Sequence, residues 1–180
     1  MATDSHSPAA PDWTVWQPVE RGALCFIVSD GQILLIHKKR GLGAGKINGP
    51  GGRLEAGESP AAAAVRETRE EVGVTPLGLR AAGVLRFQFC DGYALWCAVF
   101  TASGLTGTLR ETDEALPFWA PVTAIPYDRM WADDSLWLPH ALAGRCFEGN
   151  FWLAGERLLT HDIRVTTGGA RDISPPGNSF

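Results

Sequence analysis

The stretch GRLEAGESPAAAAVRETREEVGV at residues 52–74 contains the strongest structural signal in the chain. Ser59 followed by Pro60 is typical of a helix cap and the first helical position. Gly73 is placed to end the helix, because glycine readily adopts the left-handed conformation found after a last turn. The sequence therefore predicts a helix from Pro60 to about Val72.

The predicted helix separates an apolar stripe from an acidic one. Apolar and small residues recur at spacings of four, three and four, which places them on one docking face. They are Ala61, Val65, Thr68 and Val72. Glu67, Glu70 and Glu71 fall on another stripe, well away from the first. Like charges four residues apart destabilise a helix, so the simplest reason to converge three carboxylates is a hard divalent cation. The alternative is a solvated charged face.

A glycine-rich turn leads into this helix, since residues 48–52 are NGPGG and residues 53–58 are RLEAGE. Glycines allow backbone amides and carbonyls to approach an anion or a metal closely. Every charged and glycine position from Gly52 to Gly73 matches the Nudix signature, so the chain resembles the Nudix hydrolases. The family usually has an aliphatic residue at the position of Thr68, where we expect a slight packing cost and no chemical consequence.

The resemblance implies an α+β Nudix fold, in which a mixed β-sheet is flanked by helices as an α/β/α sandwich. It also implies that the glutamate helix binds Mg²⁺, for which Mn²⁺ can substitute. By position in the motif, Glu67, Glu70 and Glu71 are the expected catalytic residues and metal ligands, together with the carbonyl of Gly51. Glu114 matches a later acidic residue that often joins the metal site; the alternative is a surface turn.

The same resemblance assigns roles to nearby residues. Water is expected to attack phosphorus in line, with its proton accepted by Glu70 or Glu71. Glu58 and Arg66 are expected to form a structural pair that joins the loop to the helix. Lys38 is expected to contact the substrate phosphates; the alternative is a polar strand end.

Two other segments extend the resemblance beyond the glutamate motif, and the second is far more specific than that motif. Residues 38–49 are KKRGLGAGKING and residues 125–137 are IPYDRMWADDSLW. Both resemble the MutT-homologue diphosphatases, which hydrolyse oxidised purine nucleoside triphosphates, chiefly 8-oxo-dGTP, to the monophosphate and pyrophosphate. The similarity extends from about residue 23 to residue 165. It implies a nucleoside triphosphate substrate, with 2-oxo-dATP as a further candidate.

In those enzymes an asparagine and two adjacent aspartates contact the base edge, and a tryptophan stacks on it. The matching residues are Asn48, Asp133, Asp134 and Trp131, and Phe87 is expected to line the same pocket. Two neighbouring carboxylates in an apolar pocket cannot both ionise cheaply, so one would remain protonated. The pair could then offer both a donor and an acceptor. The alternative is that the aspartates only cap a helix and the tryptophan is core.

Several positions depart from the family pattern and put the preferred base in doubt. Three residues stand where animal members usually carry aromatic side chains, namely Leu42, Ile47 and Pro50. Leu95 is expected to line the pocket, whereas Trp96 and Cys97 have no obvious counterpart. The reaction class is therefore better supported than the identity of the base.

The rest of the chain contains hairpin signals and a second helix. Asp30-Gly31 and Asp91-Gly92 separate pairs of β-like runs, which is typical of tight hairpin turns. The predicted strands are 23–29, 32–37, 83–90, 93–102, 117–122, 151–154 and 158–165. Asp133 or Asp134 is expected to cap a helix that runs to about Arg145. We expect a flexible leader at 1–18, the domain at 19–165 and a flexible tail at 166–180.

The composition narrows the class of protein. The net charge of −4 argues against binding of a nucleic acid polymer by bulk electrostatics. The four cysteines are scattered without metal-ligand spacing, which favours reduced thiols. The first residues lack the pattern of a secretory signal, and we find no stretch that would cross a membrane. A cytoplasmic monomer is expected.

Two rival functions remain open. The first is a Nudix pyrophosphatase for another nucleoside diphosphate derivative, such as ADP-ribose; the adjacent aspartates and Trp131 argue against it. The second is a catalytically inactive Nudix domain that senses a ligand. Loss of a glutamate from the motif would mark such a sensor, and none is lost.

Overall fold

The computed structural model describes residues 9–166 and 173–176, and within them a mixed sheet forms the centre of the molecule. Eleven strands are present in these ranges: β1 (Glu20–Ser29), β2 (Gln32–Lys38), β3 (Ile47–Asn48), β4 (Gly51–Arg53), β5 (Val74–Leu77), β6 (Arg80–Phe89), β7 (Ala94–Ala102), β8 (Gly104–Gly107), β9 (Ala115–Pro121), β10 (Cys146–Ala154) and β11 (Arg157–Thr166). The helices are α1 (Pro60–Val72) and α2 (Asp134–Leu142), with a short 3₁₀ turn at Tyr127–Arg129.

Nine of these strands form the large sheet, in the order β11-β10-β6-β7-β1-β2-β3, with β4 paired to β1 and β9 paired to β2. The pairs β1–β7 and β6–β10 are parallel, and the others in this sheet are antiparallel. Strands β5 and β8 form a separate antiparallel pair. The α+β class with a mixed sheet is therefore confirmed.

The sheet separates two apolar cores, because successive residues of a strand point to opposite faces. Cys25 of β1 belongs to the core that also contains Val72 of α1. Its neighbour Phe26 belongs to the core on the other face, where its ring lies 5.7 Å from that of Trp137 in α2. One helix thus covers each face, as the resemblance to the Nudix fold implies.

Helix α1 has the bounds that its end signals predict. The Ser59 hydroxyl accepts a hydrogen bond from the backbone N–H of Ala62 at 3.2 Å. Gly73 has φ +82°, and its N–H donates to the carbonyl of Arg69. Both ends of the helix are therefore stabilised by the residues from which they were predicted, Ser59 and Gly73.

The predicted docking face of α1 is confirmed for Thr68 and Val72, but the buried face is centred part of a turn away from the predicted stripe. Ala61 and Val65 are only partly buried, while the fully buried residues are Ala63, Ala64, Thr68, Glu71 and Val72. Glu71 therefore lies on the packed side of the helix, whereas Glu67 is partly buried and Glu70 is exposed. Burial of a carboxylate is tolerated there because Lys38 and the backbone N–H of Gly51 donate hydrogen bonds to it.

Helix α2 ends at Leu142, three residues before the predicted end. Gly144 takes φ +70° and reverses the chain, and Arg145 N–H donates to the carbonyl of His140. The following residues enter β10 at Cys146, which begins earlier than predicted and runs parallel to β6. No helix in the described ranges is long and apolar enough to span a membrane.

The segment before β1 is docked on the domain and is not a loose leader over its described part. Trp16 is 9% exposed, and its indole N–H donates to the side-chain oxygen of Gln88 at 2.9 Å. Near the other terminus, the carbonyl of Pro176 accepts from Arg21 at 3.0 Å, and Thr166 ends β11. The predictions for residues 1–8, 167–172 and 177–180 lie outside the described residues.

Candidate active site

A cavity of about 350 Å³ opens between the glycine-rich turn and the start of α2. Its walls come from β1, β4, β6 and β7, from the loop before β3, and from residues around the start of α2. Seven residues singled out from the sequence line it together: Lys38, Asn48, Gly51, Phe87, Trp131, Asp133 and Asp134. Residues nearly 100 positions apart in the chain therefore share one pocket.

The glycine turn is shaped by close contact with neighbouring strands and with α1. A Cβ atom at Gly51 would lie 2.9 Å from the Cα of Leu24. A Cβ at Gly52 would lie 2.6 Å from an oxygen of Glu67. At Gly51 the close atoms are backbone, so this position requires glycine, whereas a side chain at Gly52 would force the Glu67 carboxylate to move. As a result the Glu67 carboxylate lies directly against the backbone of the turn.

Arg66 connects the acidic residues around α1. Its guanidinium donates to Glu58 at 2.8 Å, to Glu67 at 2.8 Å, to Glu70 at 3.0 Å and to the carbonyl of Arg53 at 2.9 Å. The hydrogen bonds from Arg66 lower the pKa of Glu58. This guanidinium therefore joins loop to helix and offsets the repulsion among the carboxylates that converge on it.

Glu71 is almost completely buried, at 1% exposure, yet both of its oxygens are bonded. Lys38 lies 3.0 Å from one oxygen, and the backbone N–H of Gly51 donates to the other at 2.9 Å. Burial raises the pKa of Glu71, and the charge of Lys38 opposes that rise. Lys38 lies at the edge of the cavity, and part of its positive charge is already offset by Glu71.

The donors around this turn fit a hard divalent cation. Glu67 and Glu71 both reach the Gly51–Gly52 turn, and Glu70 projects from the same helix with 56% of its side chain exposed. Carboxylate and carbonyl oxygens are the ligands that such ions prefer. Within residues 9–166 and 173–176, however, no three acidic, histidine or cysteine side chains are grouped so that they could hold a metal ion. In this structure Lys38 is the partner of Glu71, and Arg66 is the partner of Glu67.

The structure does not bring Glu114 into the cavity. It occupies an exposed turn whose neighbour Thr112 donates its hydroxyl to the carbonyl of Glu71 at 2.8 Å. The Glu114 carbonyl accepts from the N–H of Lys39 at 2.8 Å. The backbone of this turn is therefore tied to the end of α1 and to β2, while the Glu114 carboxylate faces solvent.

Asp133 and Asp134 form the deep end of the cavity, at 1% and 3% exposure. The indole N–H of Trp137 donates to one oxygen of Asp133 at 2.9 Å, and the N–H of Trp131 donates to Asp134 at 2.9 Å. The other oxygen of Asp133 is buried without a hydrogen-bond partner among the described residues. Asp133 precedes α2 but makes no side-chain cap bond, so the capping interpretation is wrong for it.

The surroundings of Asp133 and Asp134 favour protonation of one of the two carboxyl groups. Burial raises the pKa of Asp133 to about 6. Burial and the adjacent charge of Asp133 raise the pKa of Asp134 well above its ordinary value, although the charge of Lys46 opposes this. At neutral pH the two carboxyl groups therefore do not both ionise, which agrees with the expectation from the sequence.

Trp131 lines the cavity and is not a core residue. A Cβ at Gly43 would lie 2.9 Å from its indole nitrogen, so the loop backbone packs directly on the ring. The Lys46 ammonium lies 5.1 Å from the ring centroid and is held by Glu156 at 3.0 Å. Contacts from the loop between β2 and β3 therefore restrict the orientation of the indole.

Sequence reasoning missed much of the cavity wall. The overlooked lining residues with polar or aromatic side chains are Glu20, Arg53, Phe89, Tyr93 and Trp137, and Cys97 was noted without a role. Leu95 and Leu42 line the cavity as expected, whereas Ile47 and Trp96 are core. Because side chains alternate along a strand, Leu95 and Cys97 of β7 lie on the same face of the sheet. This alternation could have predicted that Cys97 lines the cavity next to Leu95.

Comparison with known proteins agrees with this architecture. The model of the NUDIX domain matches residues 18–141. The chain is 41% identical over 143 residues to the oxidized purine nucleoside triphosphate hydrolase of Danio rerio, covering 79% of this chain and 88% of that protein. The Mus musculus protein of the same name is 36% identical over 143 residues, covering 78% and 92%. The crystal structure of a MutT protein from Bacillus halodurans superposes with a TM-score of 0.73 at 27% identity, covering 81% and 97%. The chain belongs to the Nudix hydrolase family.

Proposed function

We propose that this protein hydrolyses oxidised purine nucleoside triphosphates, such as 8-oxo-dGTP and 2-oxo-dATP, to the monophosphate and pyrophosphate. The observation that carries the proposal is the buried Asp133–Asp134 pair, with one unpartnered oxygen, in a cavity that extends to Lys38 and the Gly51–Gly52 turn. Glu67 and Glu71 of α1 do not line the cavity but contact this turn from behind. The names of the two vertebrate relatives, both oxidized purine nucleoside triphosphate hydrolases, support it. Sanitation of the nucleotide pool would be its role.

The aspartate pair suits the edge of an oxidised purine. Oxidation changes the pattern of donors and acceptors along the base, and a site that holds one protonated and one ionised carboxyl can match both kinds of group. The unpartnered oxygen of Asp133 is available for such a bond. Asn48 lines the same cavity, and Trp131 offers an indole for stacking. An unmodified base would leave one of these buried groups unpaired, which costs binding energy.

The glutamate helix suits the phosphates. Nudix hydrolases use divalent metal ions, and we propose Mg²⁺ here, with Mn²⁺ able to substitute. Glu67, Glu70, Glu71 and the carbonyl of Gly51 would hold the ion. When bound, it would neutralise phosphate charge and orient the attacking water. Lys38 borders the cavity beside Glu71 and would add a cation near the phosphates.

Glu67, Glu70 and Glu71 differ in how accessible their carboxylates are for accepting a proton. Both oxygens of Glu71 are bonded, to Lys38 and to Gly51, and the carboxylate is buried. Glu67 lies against Gly52 and accepts from Arg66. Glu70 is the most exposed of the three and has Arg66 as its partner. Glu70 is therefore the better candidate to accept the proton of the attacking water.

The direct test is hydrolysis of 8-oxo-dGTP, 2-oxo-dATP, dGTP and ADP-ribose in the presence of Mg²⁺, with monophosphate and pyrophosphate as readouts. We expect a strong preference for the oxidised purines and release of pyrophosphate. Turnover of ADP-ribose alone would keep the glutamate helix as the site and overturn the role of the aspartates. No turnover of any substrate would favour a ligand sensor.

A variant links that preference to the pocket. Asp133→Ala should weaken the discrimination between 8-oxo-dGTP and dGTP while hydrolysis remains measurable, because the glutamate helix is unchanged. Asp162→Ala, in an exposed position on β11, is the control and should keep the wild-type ranking. An unchanged ranking in Asp133→Ala would mean that the base is recognised elsewhere.

A further inference from the structure

Three polar side chains at the cavity wall have no role in base recognition or in metal binding as described above. Glu20 on β1 accepts a hydrogen bond from the phenol of Tyr93 on one oxygen. Its other oxygen lies 3.0 Å from the Nε of Arg53, at the end of β4. All three side chains line the cavity. We refer to Glu20, Tyr93 and Arg53 as the wall triad.

The triad lies beside the glycine turn and not at the aspartate end. Arg53 follows Gly52 directly and pairs with Gly22 across β1 and β4. Glu20 is two residues before Gly22 on the same strand, so both side-chain positions face the same side of the sheet. The register places Glu20 opposite Leu95, another lining residue. The triad therefore borders the cavity next to the end that would hold the phosphates.

A nucleoside triphosphate that spans this cavity must place its sugar between the two ends. Its base would lie at Asp133 and Asp134, and its phosphates at the Gly51–Gly52 turn. The sugar has hydroxyl groups, and a carboxylate is the side-chain group that accepts their hydrogen bonds most strongly. Glu20 is the remaining carboxylate among the described lining residues once the aspartate pair is assigned to the base.

We propose that Glu20 accepts a hydrogen bond from a sugar hydroxyl of the nucleotide, and that Tyr93 and Arg53 hold its carboxylate in position. This inference rests on the proposed function, because it assumes a nucleotide in the cavity. Each oxygen of Glu20 has one protein donor and keeps acceptor capacity for another. The wall triad would thereby discriminate among ribo, 2′-deoxy and 3′-deoxy nucleotides.

The triad is built to hold this carboxylate in one orientation. Arg53 supplies the compensating positive charge, with 75% of its side chain exposed, whereas Glu20 is only 26% exposed. Burial and the neighbouring carboxylate raise the pKa of Tyr93, so its phenol stays protonated and donates at neutral pH. The ring of Tyr93 also lies 5.6 Å from that of Phe89, which restricts the phenol.

The experiment compares three forms of 8-oxo-guanosine triphosphate that differ only in the sugar: ribo, 2′-deoxy and 3′-deoxy. kcat/KM is measured for wild type, Glu20→Gln and Tyr93→Phe. In wild type, removal of the sugar hydroxyl that donates a hydrogen bond to Glu20 should lower kcat/KM roughly tenfold. In Glu20→Gln, removal of the same hydroxyl should lower kcat/KM only about twofold, and in Tyr93→Phe by a factor between these two values. Changing the hydroxyl and Glu20 separately and together isolates the interaction between them.

Glu148→Gln is the matched control. Glu148 is also a strand glutamate close to an arginine, Arg86 at 3.5 Å, but it lies outside this cavity. It should show the wild-type dependence on sugar. Equal hydroxyl dependence in wild type and Glu20→Gln would overturn the proposal, as would the same loss of dependence in Glu148→Gln.

Binding of the corresponding monophosphates by calorimetry separates this inference from the proposed function. If no triphosphate is hydrolysed but hydroxyl-dependent binding is lost in Glu20→Gln, the wall triad contacts the sugar and the proposed reaction is wrong. If oxidised triphosphates are hydrolysed without any effect of Glu20 on sugar preference, the reaction stands and this inference is wrong. Absence of both binding and turnover overturns both.

Discussion

Carboxylates gather in two places, the glutamate end beside the Gly51–Gly52 turn and the aspartate end inside the cavity, but their surroundings differ. At the glutamate helix, Arg66 and Lys38 donate directly to the acidic side chains. At the aspartate end, the donors are the indole N–H of Trp137 and a backbone N–H, both neutral. The carboxylates of the glutamate helix are therefore paired with cationic side chains, whereas burial at the aspartate end raises the pKa values of both carboxyl groups and favours a bound proton. In the proposed function, one type of side chain would serve two kinds of ligand because its neighbours differ.

The largest effect is expected from neutralising the glutamates of α1. Glu71→Gln removes the partner of Lys38 and a proposed metal ligand, and Glu70→Gln removes the proposed proton acceptor. We expect each to lower kcat by about 100-fold or more while the fold is kept. Steady-state kinetics on 8-oxo-dGTP measures this. Glu55→Gln, exposed in the loop before α1, is the control and should stay near wild type. Near-normal activity of both variants would contradict the metal-site assignment.

A large effect is also expected from filling the glycine turn. In Gly52→Ala the added methyl would collide with the Glu67 carboxylate and displace it from the turn. We expect kcat/KM to fall roughly 100-fold, because small misplacements of a reacting group have effects of that size. Gly104→Ala, where a methyl would meet no atom within 4 Å, is the control. Wild-type kinetics for Gly52→Ala would show that the position of Glu67 is not critical.

An intermediate effect concerns the pH dependence of stability. Because burial raises the pKa of Asp133 from 3.8 to about 6, the folded protein holds a proton that the unfolded chain has lost between those pH values. The free energy of unfolding should therefore fall as the pH rises from about 4 to about 6. Asp133→Asn removes this titration, and denaturant unfolding should show a flatter profile, by on the order of 2 kcal/mol. An unchanged profile would contradict a raised pKa at this end.

The smallest effect is expected on the side of α1 that faces the core. Thr68 donates its hydroxyl to the carbonyl of Ala64 at 2.7 Å and touches neither end of the cavity. Thr68→Val trades that bond for apolar contact, so the free energy of unfolding should change by about 1 kcal/mol or less. Activity on 8-oxo-dGTP should be unchanged. A clear loss of kcat at wild-type stability would show that Thr68 also contributes to the chemistry.

The glutamate end could be predicted almost completely because its parts are close in the chain. Helix caps, glycine positions and the Glu58–Arg66 pair all lie within residues 51–74, and the structure has the predicted helix and pair. The exception is the orientation of α1. A wheel identifies residues that share a stripe, but only the position of the sheet decides that Glu71 is fully buried and Ala61 only partly. Lys38 and the Gly51 amide, from other elements, make that burial possible.

The aspartate end and the wall triad were harder to predict because their residues are far apart in sequence. Asp133, Asp134 and Trp131 were found through the resemblance, but the unpartnered oxygen of Asp133 follows from packing around Trp137. Glu20 and Tyr93 are 73 positions apart and meet because the β6–β7 turn brings Tyr93 beside the start of β1. Single-sequence patterns do not contain such pairings.

By itself the sequence determined the class of fold, the helix with its caps, the glycine turn and the acidic residues that a divalent cation requires. These depend on interactions between residues close in the chain, so residue type and spacing suffice. Only the tertiary structure decided which glutamate is buried, which aspartate oxygen lacks a partner and which side chains form the cavity wall. Those properties depend on strand register and on the exclusion of water, and both arise only when distant segments pack together.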